Sequence, residues 1–538
     1  MSIYNYTRRK SSEVRIGNLC LGGDNPIRLQ SMTNTRTTDV EGSAAQVVDI
    51  ARAGADLVRL TTQGVKEAAA MADIKKKAQD AGCEVPLVAD VHFNPEAAFK
   101  AAETCEKVRI NPGNFADPVH RFETIDYTDE EYLQELEKLR KKLVPFLDKC
   151  KATGTAIRLG VNHGSLSDRI VSRYGDTSRG MVESLMEYLR IFREEDFKDV
   201  VLSIKASNVI VMVETVRMLV KAMEEEGMSY PLHLGVTEAG NDDDGRIKSA
   251  AGIGTLLAEG IGDTIRVSLS ESPEREIPVA RLLRDYITVR EGHAPIAEPG
   301  ISENCKVTTR RIKGFENVTY PLIEGYDFTP ANGTFFVDAS EEPYRMPDDD
   351  TPVILSSSHI NAPGEMASWI DRFTNAGGTN PVVLRLRYDD KERETVMVKA
   401  AADFGALLMN GYGNAIRLEA PALARDDRDN IALSILQAVR LRFSKPDYIA
   451  CPGCGRTLFN LENTLARIKE ATASLKGVKI GVMGCIVNGP GEMADADYGY
   501  VGAAPGKVSL YKGQQLIRKN IPEAEAVEAL LQLIDAES

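Results

Sequence analysis

The sequence has few of the features that mark secreted or membrane proteins. Its 538 residues include 1 tryptophan and 8 cysteines, and aromatic residues make up 6%. Cysteines this sparse exclude a disulfide scaffold and favour a reducing compartment. There is no apolar run of about eighteen residues, and residues 1–15 contain no apolar signal segment. We therefore expect a cytoplasmic protein that does not enter a membrane.

The composition is that of a folded globular protein with an acidic surface. Hydrophobic residues make up 43% and charged residues 27%, and the formal net charge is -14. Because such a surface repels polyanions, the sequence argues against broad contact with nucleic acid or an anionic membrane. A chain of 538 residues also exceeds one ordinary hydrophobic core, which predicts two or three domains.

Short apolar runs alternate with amphipathic helical patterns over the first half of the chain. In residues 42–53, for example, Ala44, Val47 and Val48 share one helix face. Eight strands interleaved with helices over about 250 residues predict an α/β fold, the (β/α)8 TIM barrel. An open, doubly wound sheet is the alternative. The predicted strands are residues 27–32, 56–61, 85–91, 107–111, 155–161, 200–205, 231–236 and 263–269.

The pattern loosens after Glu291, where glycine and proline become frequent, and this predicts a domain boundary. We expect a TIM barrel over residues 1–292 and an inserted α/β domain over residues 293–443. The insertion is shorter than the roughly 250 residues of a full barrel, so a partial barrel-like layer with a structural role is predicted. Residues 444–538 are predicted to form a compact α/β module.

Two glycine-rich loops in this last module carry cysteines just after short apolar runs. The first loop reads Cys451-Pro452-Gly453-Cys454-Gly455-Arg456, and the second contains Cys485 and, seven residues later, Glu492. Three thiols on small-residue loops suit an iron-sulfur cluster, because the backbone can wrap closely around the sulfides. An oxygen ligand such as Glu492 would exchange more easily than a thiolate and leave an iron open to substrate. A zinc knuckle is the alternative, since C-x-x-C is also a zinc spacing.

Polar side chains collect at the ends of the predicted strands, where a parallel barrel places its active site. Five of them are cations, which together suit a multiply charged small anion such as a diphosphate. Pairing with structural carboxylates is the alternative for any one of them. The cations are Arg59, Arg109, Arg158, Lys205 and Arg266, and the neighbouring polar residues are Asp90, His92, Asn111, Asn162, His163, Ser207, Glu238 and Ser268.

Glu238 is the carboxylate best placed to move protons beside an anionic ligand. A counter-ion role for the neighbouring cations explains its position equally well. A single histidine in such a position, here His92, is more often a hydrogen-bonded polar residue than a catalytic one.

These motifs resemble the 4-hydroxy-3-methylbut-2-enyl diphosphate synthase family of the non-mevalonate (MEP) pathway. The resemblance covers residues 1–290 and 444–538. It rests on both cysteine loops and on strand-end segments, among them Leu87-Val88-Ala89-Asp90-Val91-His92-Phe93, Arg109-Ile110-Asn111-Pro112-Gly113-Asn114 and Arg158-Leu159-Gly160-Val161-Asn162.

The resemblance implies an oxidoreductase that opens the ring of 2-C-methyl-D-erythritol 2,4-cyclodiphosphate. Two electrons from ferredoxin or flavodoxin would remove one hydroxyl as water and give 4-hydroxy-3-methylbut-2-enyl diphosphate. Cys451, Cys454, Cys485 and Glu492 would hold a 4Fe-4S cluster, and Asp90, Glu238 and Glu492 would act in catalysis. The residues implied to bind substrate are Arg59, His92, Arg109, Asn111, Arg158, Asn162, Lys205, Ser207, Arg266 and Ser268.

The inserted block separates this chain from the two-domain members of that family and resembles the three-domain form. In two-domain members the cluster domain of one subunit closes the barrel of its partner. A homodimer is therefore one expectation for this chain. The insertion could instead let the cluster domain reach its own barrel. Two other functions also remain open on sequence grounds, a pterin-type barrel methyltransferase and a non-enzymatic zinc module on a barrel.

Overall fold

A computed structural model describes residues 2–91, 94–117, 127–300, 310–329, 335–342, 351–486, 491, 493 and 495–536. The contacts within the chain divide it into two compact units. The first unit comprises residues 1–9, 242–261 and 281–445, and the second comprises residues 10–241, 262–280 and 446–538.

Eight parallel strands form the sheet of the second unit, in the spatial order β8-β7-β6-β5-β4-β3-β10-β9. An isolated parallel bridge between Leu202 and Leu232 brings the two ends of this order together, so the sheet closes as a barrel. This confirms the predicted barrel over the open sheet. The strands are β3 (Arg28–Met32), β4 (Leu57–Thr62), β5 (Leu87–Val91), β6 (Lys107–Ile110), β7 (Ala156–Asn162), β8 (Val200–Lys205), β9 (His233–Leu234) and β10 (Thr264–Ile265).

The barrel strands read as nearly continuous apolar runs because both of their faces are buried. A short antiparallel hairpin, β1 (Val14–Ile16) with β2 (Leu19–Leu21), precedes them. The helices that follow the strands are α1 (Val40–Arg52), α2 (Val65–Asp80), α3 (Pro95–Ala101), α4 (Pro112–Phe115), α5 (Asp129–Thr153), α6 (Asp168–Tyr174), α7 (Ser178–Glu194), α8 (Val209–Glu225), α9 (Asp242–Ala258) and α10 (Glu276–Thr288), the last entered by a 3-10 turn at Pro273–Arg275.

The first unit holds the inserted segment, whose five strands form a wholly parallel sheet in the order β11-β15-β14-β13-β12. Helices α9 and α12 of this unit approach closely through small residues. A Cβ at Gly254 would lie 2.7 Å from the Cβ of Ala402. The elements are β11 (Leu322–Ile323), β12 (Phe335–Asp338), β13 (Val353–Ser356), α11 (Ala362–Asn375), β14 (Val382–Arg387), α12 (Arg393–Met409), β15 (Ala415–Glu419) and α13 (Arg425–Ala438).

The cysteine-bearing module belongs to the second unit and has a mixed sheet in the order β16-β17-β18-β19-β20. Strands β16 to β18 are parallel, and β18 to β20 are antiparallel. Leu465, Ile480 and Leu530 lie in its core. The elements are β16 (Asp447–Ala450), α14 (Leu461–Thr472), β17 (Lys479–Met483), β18 (Tyr498–Ala504), β19 (Lys507–Lys512), β20 (Gln515–Pro522) and α15 (Glu523–Asp535).

Strands β9 and β10 are shorter than the sequence predicts, at 2 residues each. The chain after each of them leaves the sheet ladder to form the loops that surround the barrel mouth. The division into three domains at residues 292 and 443 remains a prediction. Within the described ranges, no helix has both the length and the low charge that crossing a bilayer requires.

Candidate active site

A cavity of about 760 Å³ lies where the C-terminal ends of the barrel strands meet the cysteine loops. All of its lining residues belong to the second unit. A cavity at this end of a parallel barrel is where small ligands bind in this fold. The predicted site residues that line it are Arg59, Asp90, Arg109, Arg158, Asn162, Lys205, Glu238, Arg266, Ser268, Cys451, Cys454 and Cys485.

One carboxylate, that of Asp90, lies among three guanidiniums of the cavity. Its oxygens are 3.1 Å from Nη1 of Arg109, 3.8 Å from Nε of Arg59 and 4.0 Å from Nη2 of Arg158. Asp90 is 3% exposed, so these ion pairs are screened little by solvent. Arg109 is further fixed because its Nη2 donates to the carbonyl of Gly160 at 2.9 Å.

Positive charge is in excess at Arg158 and Lys205, both of which are buried. Burial, together with the neighbouring guanidiniums, lowers the pKa of each well below its ordinary value. Within the described part of the chain, Nε and Nη1 of Arg158 have no hydrogen-bond partner. Buried donors are rarely left unpaired, so these atoms suit an anionic or strongly accepting ligand.

Arg266 is held by a residue that the sequence did not point to. Its Nε and Nη2 donate to the two carboxylate oxygens of Glu276 at 3.0 and 2.8 Å. Glu276 also accepts from Ser31 Oγ at 2.6 Å. This fork arrangement fixes the plane of the Arg266 guanidinium beside the cavity.

Glu238 follows β9 in a strained backbone conformation. Its φ angle is +50°, in the left-handed region that costs a non-glycine residue about 1–3 kcal/mol. The Glu238 carbonyl accepts a hydrogen bond from the backbone N–H of Ala450 at 3.2 Å. This contact with the strand before Cys451 helps to hold the strained turn, and it places the Glu238 carboxyl group at the cavity wall.

The two cysteine loops converge on the same cavity. In the first loop Gly453 has a φ angle of +77°, which glycine adopts without strain between Cys451 and Cys454. The backbone N–H of Gly484 in the second loop donates to Sγ of Cys451 at 3.2 Å. Burial raises the pKa of the Cys451 thiol above its ordinary value.

The cysteine module contacts the barrel of its own chain at three further points. Ser270 Oγ donates to the carbonyl of Cys451 at 2.7 Å, and Lys469 Nζ donates to Oδ1 of Asn241 at 2.6 Å. Gly455 is also tightly placed, since a Cβ there would lie 2.7 Å from the carbonyl oxygen of Thr35. The barrel mouth is therefore covered from within one chain.

The residues around the thiols fit an iron-sulfur cluster as far as they are described. The donor set consists of three cysteines on glycine-bearing loops, a backbone N–H already points at one sulfur, and Arg456 lines the same cavity. Among the described residues, no three side chains of His, Cys, Asp or Glu are grouped to hold a metal ion. Glu492, the predicted fourth ligand, lies outside those residues, as does His92.

Three predicted polar residues lie near the strand ends without lining the described cavity wall. Asn111 caps α4 by accepting from the N–H of Gly113 at 3.0 Å, and its Nδ2 is buried. Ser207 is 9% exposed after β8. His163 has its Nε2 3.9 Å from the carboxylate of Asp176.

The cavity wall also contains residues that were not predicted as site residues. Arg456 was within reach of sequence reasoning, because it ends the first cysteine motif. Neutral residues such as Met32 carry no comparable signal, although Met32 Sδ lies 2.8 Å from Nη2 of Arg59. The unpredicted lining residues are Met32, Ser203, Thr237, Pro452, Gly453, Arg456, Thr457, Met483 and Gly484.

Fold and site together define a TIM-barrel protein whose cationic cavity is covered by a cysteine-bearing α/β module. The model of the GcpE TIM-barrel domain matches residues 11–281, and that of the GcpE protein C-terminal domain matches residues 447–536. The chain belongs to the GcpE family, and this membership implies an iron-sulfur enzyme.

Curated relatives match the chain over its whole length. A 4-hydroxy-3-methylbut-2-en-1-yl diphosphate synthase (flavodoxin) from Parabacteroides distasonis is 50% identical over 99% of both chains. The protein of the same name from Phocaeicola vulgatus is 51% identical, over 100% of this chain and 99% of its own. Among solved structures, an N-acetylneuraminic acid synthetase from Leptospira borgpetersenii is 11% identical, with a TM-score of 0.36 over 55% of this chain and 95% of its own.

Proposed function

We propose that this chain catalyses the reductive ring opening of 2-C-methyl-D-erythritol 2,4-cyclodiphosphate to 4-hydroxy-3-methylbut-2-enyl diphosphate. The substrate takes up two electrons and two protons and loses one oxygen as water. The observation that carries this proposal is a cavity lined by the five predicted cations, by Arg456 and by three cysteines. Full-length relatives named for this product support the same activity.

The cations of the cavity are proposed to bind the diphosphate of the substrate. Arg158 and Lys205 have the strongest demand for an anion, because burial and like charges disfavour their protonated forms. Asp90 orients Arg109 and Arg59, and Glu276 orients Arg266, so the guanidiniums are positioned before the substrate arrives. The remaining proposed substrate contacts are Asn162, Ser268, Asn111, Ser207 and His92.

Glu238 is proposed to move the proton at the reacting end of the substrate. It lies on the cavity wall next to the first cysteine loop, with its backbone anchored to Ala450. A positioned carboxyl group of this kind contributes about 10²- to 10⁴-fold to rate. Asp90 lies on the same wall and is proposed to assist.

Cys451, Cys454 and Cys485 are proposed to hold a 4Fe-4S cluster, with Glu492 as an exchangeable fourth ligand. When bound, this group supplies single electrons and a Lewis-acidic iron for the departing oxygen. The electron donor is proposed to be flavodoxin, which the relatives' names include, or ferredoxin. A cytoplasmic location follows from the free thiols, and a homodimer remains compatible with this function.

The proposal is tested by anaerobic cluster reconstitution followed by an assay with the cyclic diphosphate and a dithionite-reduced viologen. We expect one product, identified as 4-hydroxy-3-methylbut-2-enyl diphosphate by mass and NMR. Iron analysis should give about four irons per chain. Zinc without iron after reconstitution, or an intact cyclic substrate, would overturn the proposal.

A further inference from the structure

A second opening reaches the cysteine loops from outside the barrel. It is a groove of about 890 Å³ that shares Arg456, Thr457 and Cys485 with the barrel cavity. The rest of its wall comes from residues 36–38 after β3, from Thr61, Gln63 and Glu67 between the end of β4 and the first turn of α2, and from Gly455, Leu458 and Ile486. Cys485 is therefore accessible from two sides, one lined by the substrate cations and one open to solvent.

The outer groove has an apolar contact point beside the thiol. Ile486 directly follows Cys485 and is 51% exposed, which is unusual for so large an apolar side chain. Val65 at the start of α2 is a second exposed apolar residue near the groove wall, at 42%. Such residues next to a redox group favour contact with an apolar partner surface.

The charge of the groove differs from that of the chain as a whole, which has a net charge of -14. The exposed guanidinium of Arg36 makes no hydrogen bond or ion pair within the described part of the chain. Arg456 adds a second cation. Among the described residues of the wall the carboxylate is that of Glu67, which accepts from the N–H of Gly64 at 3.0 Å and lies at the positive end of α2.

We propose that this groove is the docking site of the electron donor, a flavodoxin that presents the edge of its flavin to Ile486. The inference rests on the proposed function and adds the place where electrons enter. An acidic partner such as a flavodoxin is repelled by the net negative charge of this chain, so a locally basic site favours its docking. Arg36 provides that site, and Ile486 provides the apolar contact at its inner end.

Each docking event passes one electron. The reduced flavin would lose one electron, and a cluster held by Cys451, Cys454 and Cys485 would accept it. Two such events supply the two electrons that a turnover consumes, while the protons enter on the substrate side. An interface of this kind is expected to be small, below about 1,200 Å², and salt-sensitive.

The test compares flavodoxin binding and turnover in five variants of the reconstituted full chain, one of which is the conservative Arg36→Lys. Ile486→Glu and Arg36→Glu change the groove. Ile517→Glu and Arg52→Glu are the matched controls, because Ile517 is 39% exposed on β20 and the Arg52 side chain is 72% exposed at the end of α1. Flavodoxin affinity is measured by titration at two salt concentrations, and turnover is driven separately by flavodoxin and by a reduced viologen.

We expect both groove variants to raise the flavodoxin Kd about tenfold or more, as for residues at the centre of an interface. Arg36→Lys should retain most of the affinity, and both controls should match the wild type. Viologen-driven turnover should stay within about twofold in all variants, because a small reductant needs no docking surface.

A flavodoxin Kd that is unmeasurable in the wild type, or unchanged in both groove variants, would overturn the proposal. So would a parallel loss of viologen-driven turnover with a raised KM for the cyclic diphosphate, which would assign the groove to substrate entry. Failure of the proposed function gives a different result, namely no viologen-driven product in the wild type while flavodoxin binding remains measurable.

Discussion

Asp90 supplies a negative charge among the guanidiniums of the cavity. Its carboxylate lies within 4.0 Å of Arg59, Arg109 and Arg158, so one negative charge is shared by three guanidiniums. The incomplete balance keeps an attraction for anions after folding. Glu238, in contrast, is set by its backbone, which is strained and anchored to the cysteine module.

Glu238→Gln should lower kcat about 10²- to 10⁴-fold while changing KM for the cyclic diphosphate only a few-fold. The amide keeps the shape of the side chain and cannot transfer the proton, so the loss falls on the chemical step. Steady-state kinetics with a viologen reductant measures both constants. Equal iron content in variant and wild type is the control, and an unchanged kcat would remove Glu238 from proton transfer.

Lys107→Met should raise the melting temperature by several degrees near pH 7. Lys107 is 0% exposed, and its Nζ has no hydrogen-bond partner within the described residues. Burial lowers the pKa of Lys107 well below its ordinary value, and the positive charges of Arg158 and Arg59 lower it further. The folded chain therefore holds this proton less tightly than the unfolded chain, so stability increases as pH rises towards about 10.4.

The stabilisation in Lys107→Met should therefore shrink as pH rises towards about 10.4, because the unfolded lysine loses its proton there. Thermal melts across this range measure the difference from the wild type. Lys76→Met is the control, since the Lys76 side chain is 72% exposed. A lower melting temperature for Lys107→Met at pH 7 would show that the ammonium is satisfied in the folded protein.

At the scale of elements, the barrel strands and the cysteine loops could be predicted because each is encoded locally. Apolar runs mark strands buried on both faces, and the C-x-x-C spacing marks a loop of thiols. The partner of Arg266 could not be predicted in this way. Glu276 comes from the helix after the last barrel strand, and only the closed fold shows that it meets this guanidinium.

Helix α9 shows a second limit of local patterns. Its residues from Gly245 to Ala258 are all buried, so it lacks the polar face that identifies an ordinary surface helix. The short β9 and β10 have the same origin, since tertiary contacts of the following loops decide where the ladder stops. The extra strands of the cysteine module, β18 to β20, were also not predicted.

The first cysteine loop should tolerate no side chain at Gly455. A Cβ there would lie 2.7 Å from the Thr35 carbonyl oxygen, so Gly455→Ala should push the loop from the barrel. We expect a loss of kcat of about 10²-fold, since small displacements of reacting groups have effects of this size. Iron content should fall much less than kcat.

The control for this variant is Gly300→Ala, because a Cβ at Gly300 meets no atom within 4 Å. Its kcat should equal that of the wild type. Full activity in Gly455→Ala would mean that the loop contact does not set the position of the thiols.

At the scale of the whole molecule, the barrel mouth and the cysteine module lie in the same compact unit of one chain. Backbone and side-chain contacts join them at Ala450, Cys451 and Lys469. We propose that the inserted domain has a structural role, consistent with the close packing of α12 against α9 within the first unit. The complete set of cations and thiols then needs no second subunit.

The most direct test of this account is complementation between two inactive variants, Arg158→Ala in the barrel and Cys485→Ala in the module. The two chains carry different affinity tags, are co-expressed, and are purified through both tags in succession before the viologen-driven assay. The account predicts that any mixed species is as inactive as its parents, because every cavity lacks either the cation or the thiol. Recovery of a substantial fraction of wild-type activity in the mixed species would contradict it, because an intact site could then form only between chains.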